Sequence, residues 1–233
     1  MTSTLTPASR PESIDHLLNS VERYNPANTE VLEDYLNTQC QNDENDLAAN
    51  LALLKLYQFN PPLFNPSAVA KVLIKALINF FEADFNLCLY LLNEIVAAEP
   101  IIVTLLELKQ CLDEARFADF WATLRAHQAK ATDSALAQLI ADDVKDFDRS
   151  MQRTIAEAIA MAYQTIDLSL VSQYFNLDGA ALQHFIAELG WAMDDSQVVH
   201  IPLNKANEVK TTVINESIQF SQLTKIIGHA STA

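Results

Sequence analysis

Apolar residues recur along most of the chain at intervals of three and four positions, which is the spacing of one face of an α-helix. The stretch 47–59 (LAANLALLKLYQF) is apolar almost all round and contains only three polar residues. A helix with that pattern must be covered on several sides. Asp46 is placed to cap its start, and the prolines of 60–62 are placed to end it. We therefore predict a core helix in this stretch.

The clearest helical periodicity follows Pro66, with Lys71 and Lys75 on the side opposite the apolar residues. The apolar face consists of Val69, Val72, Leu73, Ala76, Leu77 and Phe80. A further helix is predicted over 84–96, where residues such as Tyr90 widen the apolar face. A face of that width predicts that a second side of this helix is covered as well.

Three predicted helix starts share the same local sequence pattern. Asn25-Pro26, Asn65-Pro66 and, in a weaker form, Glu99-Pro100 each place a polar residue before a proline. Their spacing of about 35–40 residues is the length of one helical hairpin in a solenoid repeat. We predict a helical-repeat domain of the HEAT or TPR type over residues 12–147. Residues 1–11, rich in Ser, Thr and Pro, are predicted to form a flexible tail.

The predicted elements shorten after Asp167. Two short helices flank a turn at 176–179, and two short strands follow over 191–193 and 198–201. The order helix, turn, helix and small hairpin is that of a winged helix. We predict a winged-helix domain over residues 148–233, in a chain that is all-α in class apart from this hairpin.

The chain is acidic, with a formal net charge of −15. Such a chain is repelled by phosphate backbones and by anionic membrane surfaces. The helix that a winged helix would place in a DNA groove, residues 178–189, contains no Arg or Lys. Recognition helices read phosphates and bases mainly with Arg, Lys, Asn and Gln. We expect direct binding of RNA or DNA to be weak or absent.

The cysteines and the hydropathy of the chain indicate in which cellular compartment the protein is expected. Cys40, Cys88 and Cys111 lie far apart in apolar helical sequence, which favours reduced core thiols in an intracellular protein. No apolar run approaches the roughly 20 residues needed to span a bilayer, and the N-terminal residues lack the apolar core of a signal peptide. We expect a soluble cytoplasmic protein without a membrane contact.

The sequence contains no recognisable catalytic motif. Three glycines cannot form a GxGxxG or Walker loop, and none of the five histidines belongs to an HExxH pattern. Asp142, Asp143, Asp146 and Asp148 could in principle hold a metal, but carboxylates near a helix start usually cap it or face solvent. A Cys–His nucleophile pair, which would form only in space, stays open. We predict a protein that is not an enzyme, without catalytic residues, cofactor or metal.

Several segments in order carry the pattern of one family. They are RYNP at 23–26, ANLALLKLYQFNP at 49–61, ADFNLC at 83–88, FADFW at 117–121, AYQTID at 162–167 and GW at 190–191. Together they resemble the k subunits of eukaryotic translation initiation factor three, over about residues 21–227. The resemblance implies a helical-repeat domain followed by a winged helix, as in PCI-type scaffold subunits. It also implies a non-catalytic subunit of a complex that binds the small ribosomal subunit, with the l subunit as its nearest partner.

A final amphipathic helix is the predicted partner-binding surface. Its apolar stripe comprises Ile218, Leu223, Ile226 and Ile227. Such a stripe either enters a groove of a partner subunit or folds back on its own domain. Two other functions stay open: a PCI-type scaffold of another assembly, such as the proteasome lid or the signalosome, and a winged-helix regulator that binds nucleic acid. Co-purifying proteins would separate the first, and salt-sensitive nucleic-acid binding would reveal the second.

Overall fold

The computed structural model describes residues 7, 9–129, 135–209 and 220–230. Within these residues the chain is mainly α-helical, as the sequence predicts, with one small antiparallel sheet. The helices are α1 (Glu12–Asn19), α2 (Thr29–Asn42), α3 (Leu47–Phe59), α4 (Pro66–Ile78), α5 (Asp84–Leu89), α6 (Glu94–Ala97), α7 (Pro100–Asp113), α8 (Phe117–Ala129), α9 (Ala135–Asp143), α10 (Phe147–Ala162), α11 (Leu168–Phe175), α12 (Gly179–Glu188) and α13 (Phe220–Ala230). Short 3-10 helices cover Val21–Tyr24, Pro26–Asn28 and Pro61–Leu63, and the strands are β1 (Thr165–Asp167), β2 (Ala192–Met193) and β3 (Val198–His200). None of the described helices is long and apolar enough to cross a membrane.

Helix α3 has nearly the bounds that its sequence predicts. The Asp46 carboxylate accepts a hydrogen bond from the Ala49 N–H and so begins the helix. The helix ends at Phe59, just before Asn60 and the two prolines. Its buried side chains join the core on more than one side, as a helix with so few polar residues requires.

Helix α4 lies at the centre of the core, with ten of its thirteen residues buried. It packs against α2, α3, α5, α7, α9 and α10. Lys75, on the side of the helix opposite the predicted apolar face, is nevertheless buried, with its side chain only 2% exposed. The chain after α2 approaches that side of α4, and Lys75 Nζ lies 3.4 Å from Asp43 Oδ1. The same Asp43 carboxylate accepts a hydrogen bond from Ser150 Oγ of α10 at 2.6 Å.

A buried polar cluster connects residue 10 to the first long helices. The guanidinium of Arg10 contacts both carboxylate oxygens of Asp46, with Nε–Oδ2 and Nη2–Oδ1 distances of 2.6 and 2.7 Å. The Tyr35 hydroxyl of α2 donates to the same carboxylate at 3.2 Å. Both partners of the ion pair are buried, and the hydrogen bond to Asp46 raises the pKa of Arg10. Arg10, which belongs to the predicted tail, is thus held against the helical body.

The prediction of a single covered helix over 84–96 is wrong. Helix α5 ends at Leu89, and α6 begins after Asn93, whose side-chain oxygen accepts from the Val96 N–H. The break leaves Tyr90 79% exposed and Leu87 41% exposed, so the second side of this segment is not fully covered within the described chain. The apolar residues that do reach the core from this segment include Phe85 and Cys88, both fully buried.

The C-terminal elements place a helix pair beside a three-stranded sheet. Strand β3 is central and pairs antiparallel with β1, in the register Ile166↔Val199, and with β2, in the register Met193↔Val199. Strand β1 is not among the predicted elements. Gly190, just past α12, has φ +71°, a left-handed value that suits the end of a helix. Asp178, the residue before α12, does not cap the helix with its side chain, and its carboxylate accepts a hydrogen bond from Ser172 Oγ.

The two predicted domains share contacts along α8, α10 and α11. The indole Nε1 of Trp121 donates to the Tyr174 carbonyl oxygen at 2.8 Å, and the rings of Phe117 and Tyr174 meet edge to face at 5.5 Å. The Arg125 guanidinium of α8 pairs with the Asp148 carboxylate of α10 at 2.8 Å. Buried apolar residues from both sides of these contacts belong to one continuous core.

Candidate partner-binding surfaces

The predicted stripe falls on α13 and on the segment before it. Leu223 and Ile227 are 40% and 61% exposed and lie one helical turn apart, so the structure brings them to one face. Ile226 belongs to the same helix. Ile218 lies outside the described residues. The helix therefore presents two of the four predicted side chains together, in a partly exposed setting.

The small sheet offers two edges, formed by β1 and β2. Strand β2 is short and exposed, and its Met193 side chain points an apolar group to solvent. The Asp194 carboxylate closes the β2–β3 turn by accepting from the N–H groups of Ser196 and Val198, both at 2.9 Å. These bonds, together with His200, lower the pKa of Asp194. The turn is thus held in one geometry beside an exposed strand edge.

Helix α12 does not present a basic face. Its exposed residues are Gly179, Ala180, Ala181, Gln183, His184, Ala187 and Glu188. The arginines nearest to it, Arg149 and Arg153, both pair with Glu188. The Arg149 guanidinium also lies over the Phe185 ring, 4.3 Å from its centroid. The cations beside α12 are therefore engaged within the protein.

The thiols are buried and free, as the sequence predicts. Burial raises the pKa of Cys40 and Cys111, and it raises the pKa of Cys88 to about 12. Since the thiolate is the reactive species, none of these thiols is poised as a nucleophile near neutral pH. Among the described residues there is no group of three His, Cys, Asp or Glu side chains that could hold a metal ion.

One cavity of about 650 Å³ opens where the starts of α4 and α7 approach the end of α9. Its wall combines apolar residues with carboxylates, among them Pro66, Pro100, Leu139, Glu99, Asp142 and Asp143. Asp143 is paired with Lys71 at 3.2 Å. This lining contains neither a thiol nor a histidine, so the cavity offers shape and negative charge rather than a nucleophile.

The sequence pattern does not predict an exposed apolar surface that follows α4 in the chain and extends into α6. Phe81, Leu87, Tyr90 and Ile95, here called the 81–95 surface, all point apolar groups to solvent, and Ile95 is 80% exposed. The signal that could have revealed it is Asn93-Glu94, a capping pair that breaks the apparent single helix.

These features define a mainly helical protein with a small antiparallel sheet and with exposed apolar side chains on α13 and along residues 81–95. The profile of the CSN8/PSMD8/EIF3K family matches residues 63–213. The protein named eukaryotic translation initiation factor 3 subunit K from Phaeosphaeria nodorum is 37% identical, over 95% of this chain and 94% of its own. Proteins of the same name are 34% identical in Yarrowia lipolytica, over 95% of both chains, and in Bombyx mori, over 98% of this chain and 99% of its own. The chain belongs to the CSN8/PSMD8/EIF3K family.

Proposed function

We propose that the chain is a non-catalytic scaffold subunit of eukaryotic translation initiation factor 3. In that role it supports the initiation of protein synthesis in the cytoplasm and reaches the small ribosomal subunit through the complex. The observation that carries this proposal is the similarity, over nearly the full length, to proteins named subunit K. The buried thiols, whose raised pKa values leave them protonated, support a role in binding rather than in catalysis.

The domain architecture belongs to the same proposal. Residues 12–147 form a HEAT- or TPR-like helical-repeat domain, and residues 148–233 form a winged helix, in a PCI-like order. The helix starts at Pro66 and Pro100 support the repeat, because each opens a long helix at the predicted place. The sheet order β1-β3-β2 beside α11 and α12 supports the winged helix.

The l subunit is the proposed direct partner, and α13 supplies the contact. The predicted stripe, Ile218, Leu223, Ile226 and Ile227, would enter a groove of that subunit, and the exposed edge of the small sheet would offer a second contact. The exposed positions of Leu223 and Ile227 on one face support this assignment.

The direct test is a pull-down of the tagged full chain from cell extract at mild salt, read by mass spectrometry. We expect recovery of the l subunit together with other subunits of initiation factor 3. Recovery of a proteasome-lid or signalosome set in their place would overturn the assignment to this complex.

A paired variant tests the surface itself. Leu223→Asp with Ile227→Asp should abolish recovery of the l subunit, because charged side chains cannot enter an apolar groove without losing their hydration. Leu203→Asp is the matched control, since Leu203 is 69% exposed in the same half of the chain and lies outside the stripe. Unchanged recovery with the double variant, at an unchanged circular dichroism spectrum, would exclude the stripe as the contact.

Direct nucleic-acid binding is proposed to be weak. The face of α12 lacks cations, and Arg149 and Arg153 are already paired with Glu188. We expect no salt-dependent binding of the isolated chain to single-stranded RNA in a fluorescence polarisation titration. Tight binding whose affinity falls steeply with salt would favour the winged-helix regulator instead.

A further inference from the structure

The 81–95 surface exposes four large apolar side chains to solvent. Tyr90 and Ile95 are 79% and 80% exposed, and Phe81 and Leu87 are 44% and 41% exposed. Single exposed apolar residues are common on protein surfaces, whereas contiguous apolar surface marks interaction sites. Here four exposed large apolar side chains fall within fifteen consecutive residues. Tyrosine is, in addition, enriched among the residues that dominate binding energy at interfaces.

The backbone beneath these side chains is fixed. The Tyr90 N–H donates to the Asn86 carbonyl oxygen at 3.1 Å, and Asn93 caps α6. Phe85 and Cys88, fully buried, anchor the same segment in the core. A surface that is already ordered loses little conformational entropy on binding, which favours affinity.

The acidic residues in this part of the sequence indicate what kind of protein would bind to this surface. Residues 76–108 contain five acidic residues and no Lys, Arg or His, and Glu94 lies between Tyr90 and Ile95 in the chain. A second copy of this chain would bring acidic side chains against acidic side chains at a net charge of −15 each. The residues outside the described part contain only Lys130 and Lys210 as basic side chains. Charge complementarity therefore favours a different protein with a basic rim.

We propose that the 81–95 surface docks into an apolar groove, bordered by Lys or Arg side chains, on another protein of the assembly. Tyr90 and Ile95 are its anchors, and Glu94 pairs with the basic rim. This inference rests on the proposed scaffold function, but it concerns a surface in the helical half, far along the chain from α13. The protein would then hold at least two neighbours, one at each surface.

Footprinting tests the proposal whatever the assembly proves to be. The tagged full chain is purified from cells with its bound proteins, and hydroxyl-radical labelling is compared with that of the free chain. We expect labelling of Tyr90 and Ile95 to fall at least about fivefold in the assembly, as for side chains at the centre of an interface. Val21, which is 83% exposed elsewhere, is the internal reference for a site outside this surface.

Each result decides the proposal. Equal labelling of Tyr90 in both states overturns it, and so does protection already present in the free chain, which would mean that the chain covers its own surface. Recovery of the chain without any bound protein also overturns it. The identity of the bound subunits, read by mass spectrometry from the same sample, tests the scaffold function separately. A set other than initiation factor 3 with Tyr90 protected would reject that function and keep this surface.

The affinity of variants of the chain is measured with the same purified assembly, from which the native copy of the chain has been removed. Tyr90→Ser with Ile95→Ser should raise the Kd at least about tenfold, as loss of interface anchors does, whereas Val21→Ser should not change it. Glu94→Lys should raise the Kd and reduce its dependence on salt, and Glu157→Lys, on the exposed side of α10, is the matched charge control. Equal Kd values for the double variant and the wild type would overturn the proposal.

Discussion

At the scale of single residues, an ion pair between buried Lys75 and the partly exposed Asp43 connects distant parts of the chain. Lys75 is buried in the middle of α4, and its ammonium group is 3.4 Å from Asp43, which follows α2. Asp43 also accepts from Ser150 of α10, so one carboxylate joins three helices. A buried charge needs such a partner, because burial without one costs several kcal/mol.

Replacing Asp43 with Asn should destabilise the protein. The substitution removes the charge while keeping the side-chain shape, and Asn tolerates the left-handed backbone at this position, where φ is 54°. We expect a loss of about 1.5–3 kcal/mol, the usual worth of a hydrogen bond to a charged group, measured by urea unfolding. Asp34→Asn, on the exposed side of α2, should be nearly neutral. An unchanged urea midpoint for Asp43→Asn would mean that Lys75 does not depend on this carboxylate.

Tyr35 should make the free energy of unfolding depend on pH in the alkaline range. Burial, together with the neighbouring Asp46, raises the pKa of Tyr35 to about 12, against about 10 for a solvated tyrosine. Its contribution is complete below pH 10, and it is lost as pH rises from 10 through 12, because the unfolded chain then releases the proton more readily. Tyr35→Phe should therefore lose less stability than the wild type between pH 9 and pH 11.5 in urea titrations. Tyr24→Phe, an exposed control, should follow the wild-type pH dependence.

At the scale of elements, local capping residues set where helices begin, but they do not determine which side chains are buried. The Asn65 side-chain oxygen accepts from the N–H groups of Ser67 and Ala68, and α4 begins where the sequence predicts. Asn93 does the same for α6 and divides an apolar stretch into two short helices. The side chains between them face solvent, although their spacing alone is compatible with a core helix.

Removing the cap of α4 should weaken the core at its central helix. Asn65→Ala leaves the first N–H groups of α4 without a side-chain acceptor, and we expect a loss of about 1 kcal/mol. Asn25→Ala is the matched control, because Asn25 caps only the exposed 3-10 helix Pro26–Asn28. Its effect should stay within about 0.5 kcal/mol. Thermal and urea unfolding of the two variants would check the difference, and equal losses would contradict it.

At the scale of the whole molecule, the two proposed domains share one core. The contacts of Trp121 and Phe117 with Tyr174 join α8 to α11. Ser150 of α10 also donates to the Asp43 carboxylate, just after α2, at 2.6 Å. Buried contacts of this kind make separate unfolding of the two parts costly, because each would expose apolar surface of the other.

The two tryptophans can test this coupling, since one lies in each proposed domain. Trp191→Phe leaves Trp121 as the only fluorophore of its kind, and Trp121→Phe leaves Trp191. Within each variant we expect the fluorescence and far-ultraviolet circular dichroism transitions to coincide in urea, as in a two-state process. A fluorescence transition that precedes or follows the circular dichroism in either variant would show that the domains unfold independently.

The sequence by itself determined the helical class of the chain, the bounds of α3 and the starts of α4 and α7. These features follow from caps, prolines and periodicity, which act within a few residues of one another. It also placed Leu223 and Ile227 on one helical face, because positions four apart meet on any α-helix. Their role in binding stays a prediction.

Only the tertiary structure decided what each face meets. Lys75 is buried because the residue that follows α2 supplies its counter-charge, and Tyr90 is exposed because no described element packs over it. Strand β1 has three residues and exists through pairing with β3, which lies more than thirty positions away in the chain. Such outcomes depend on partners that are distant in sequence, and local periodicity carries no information about them.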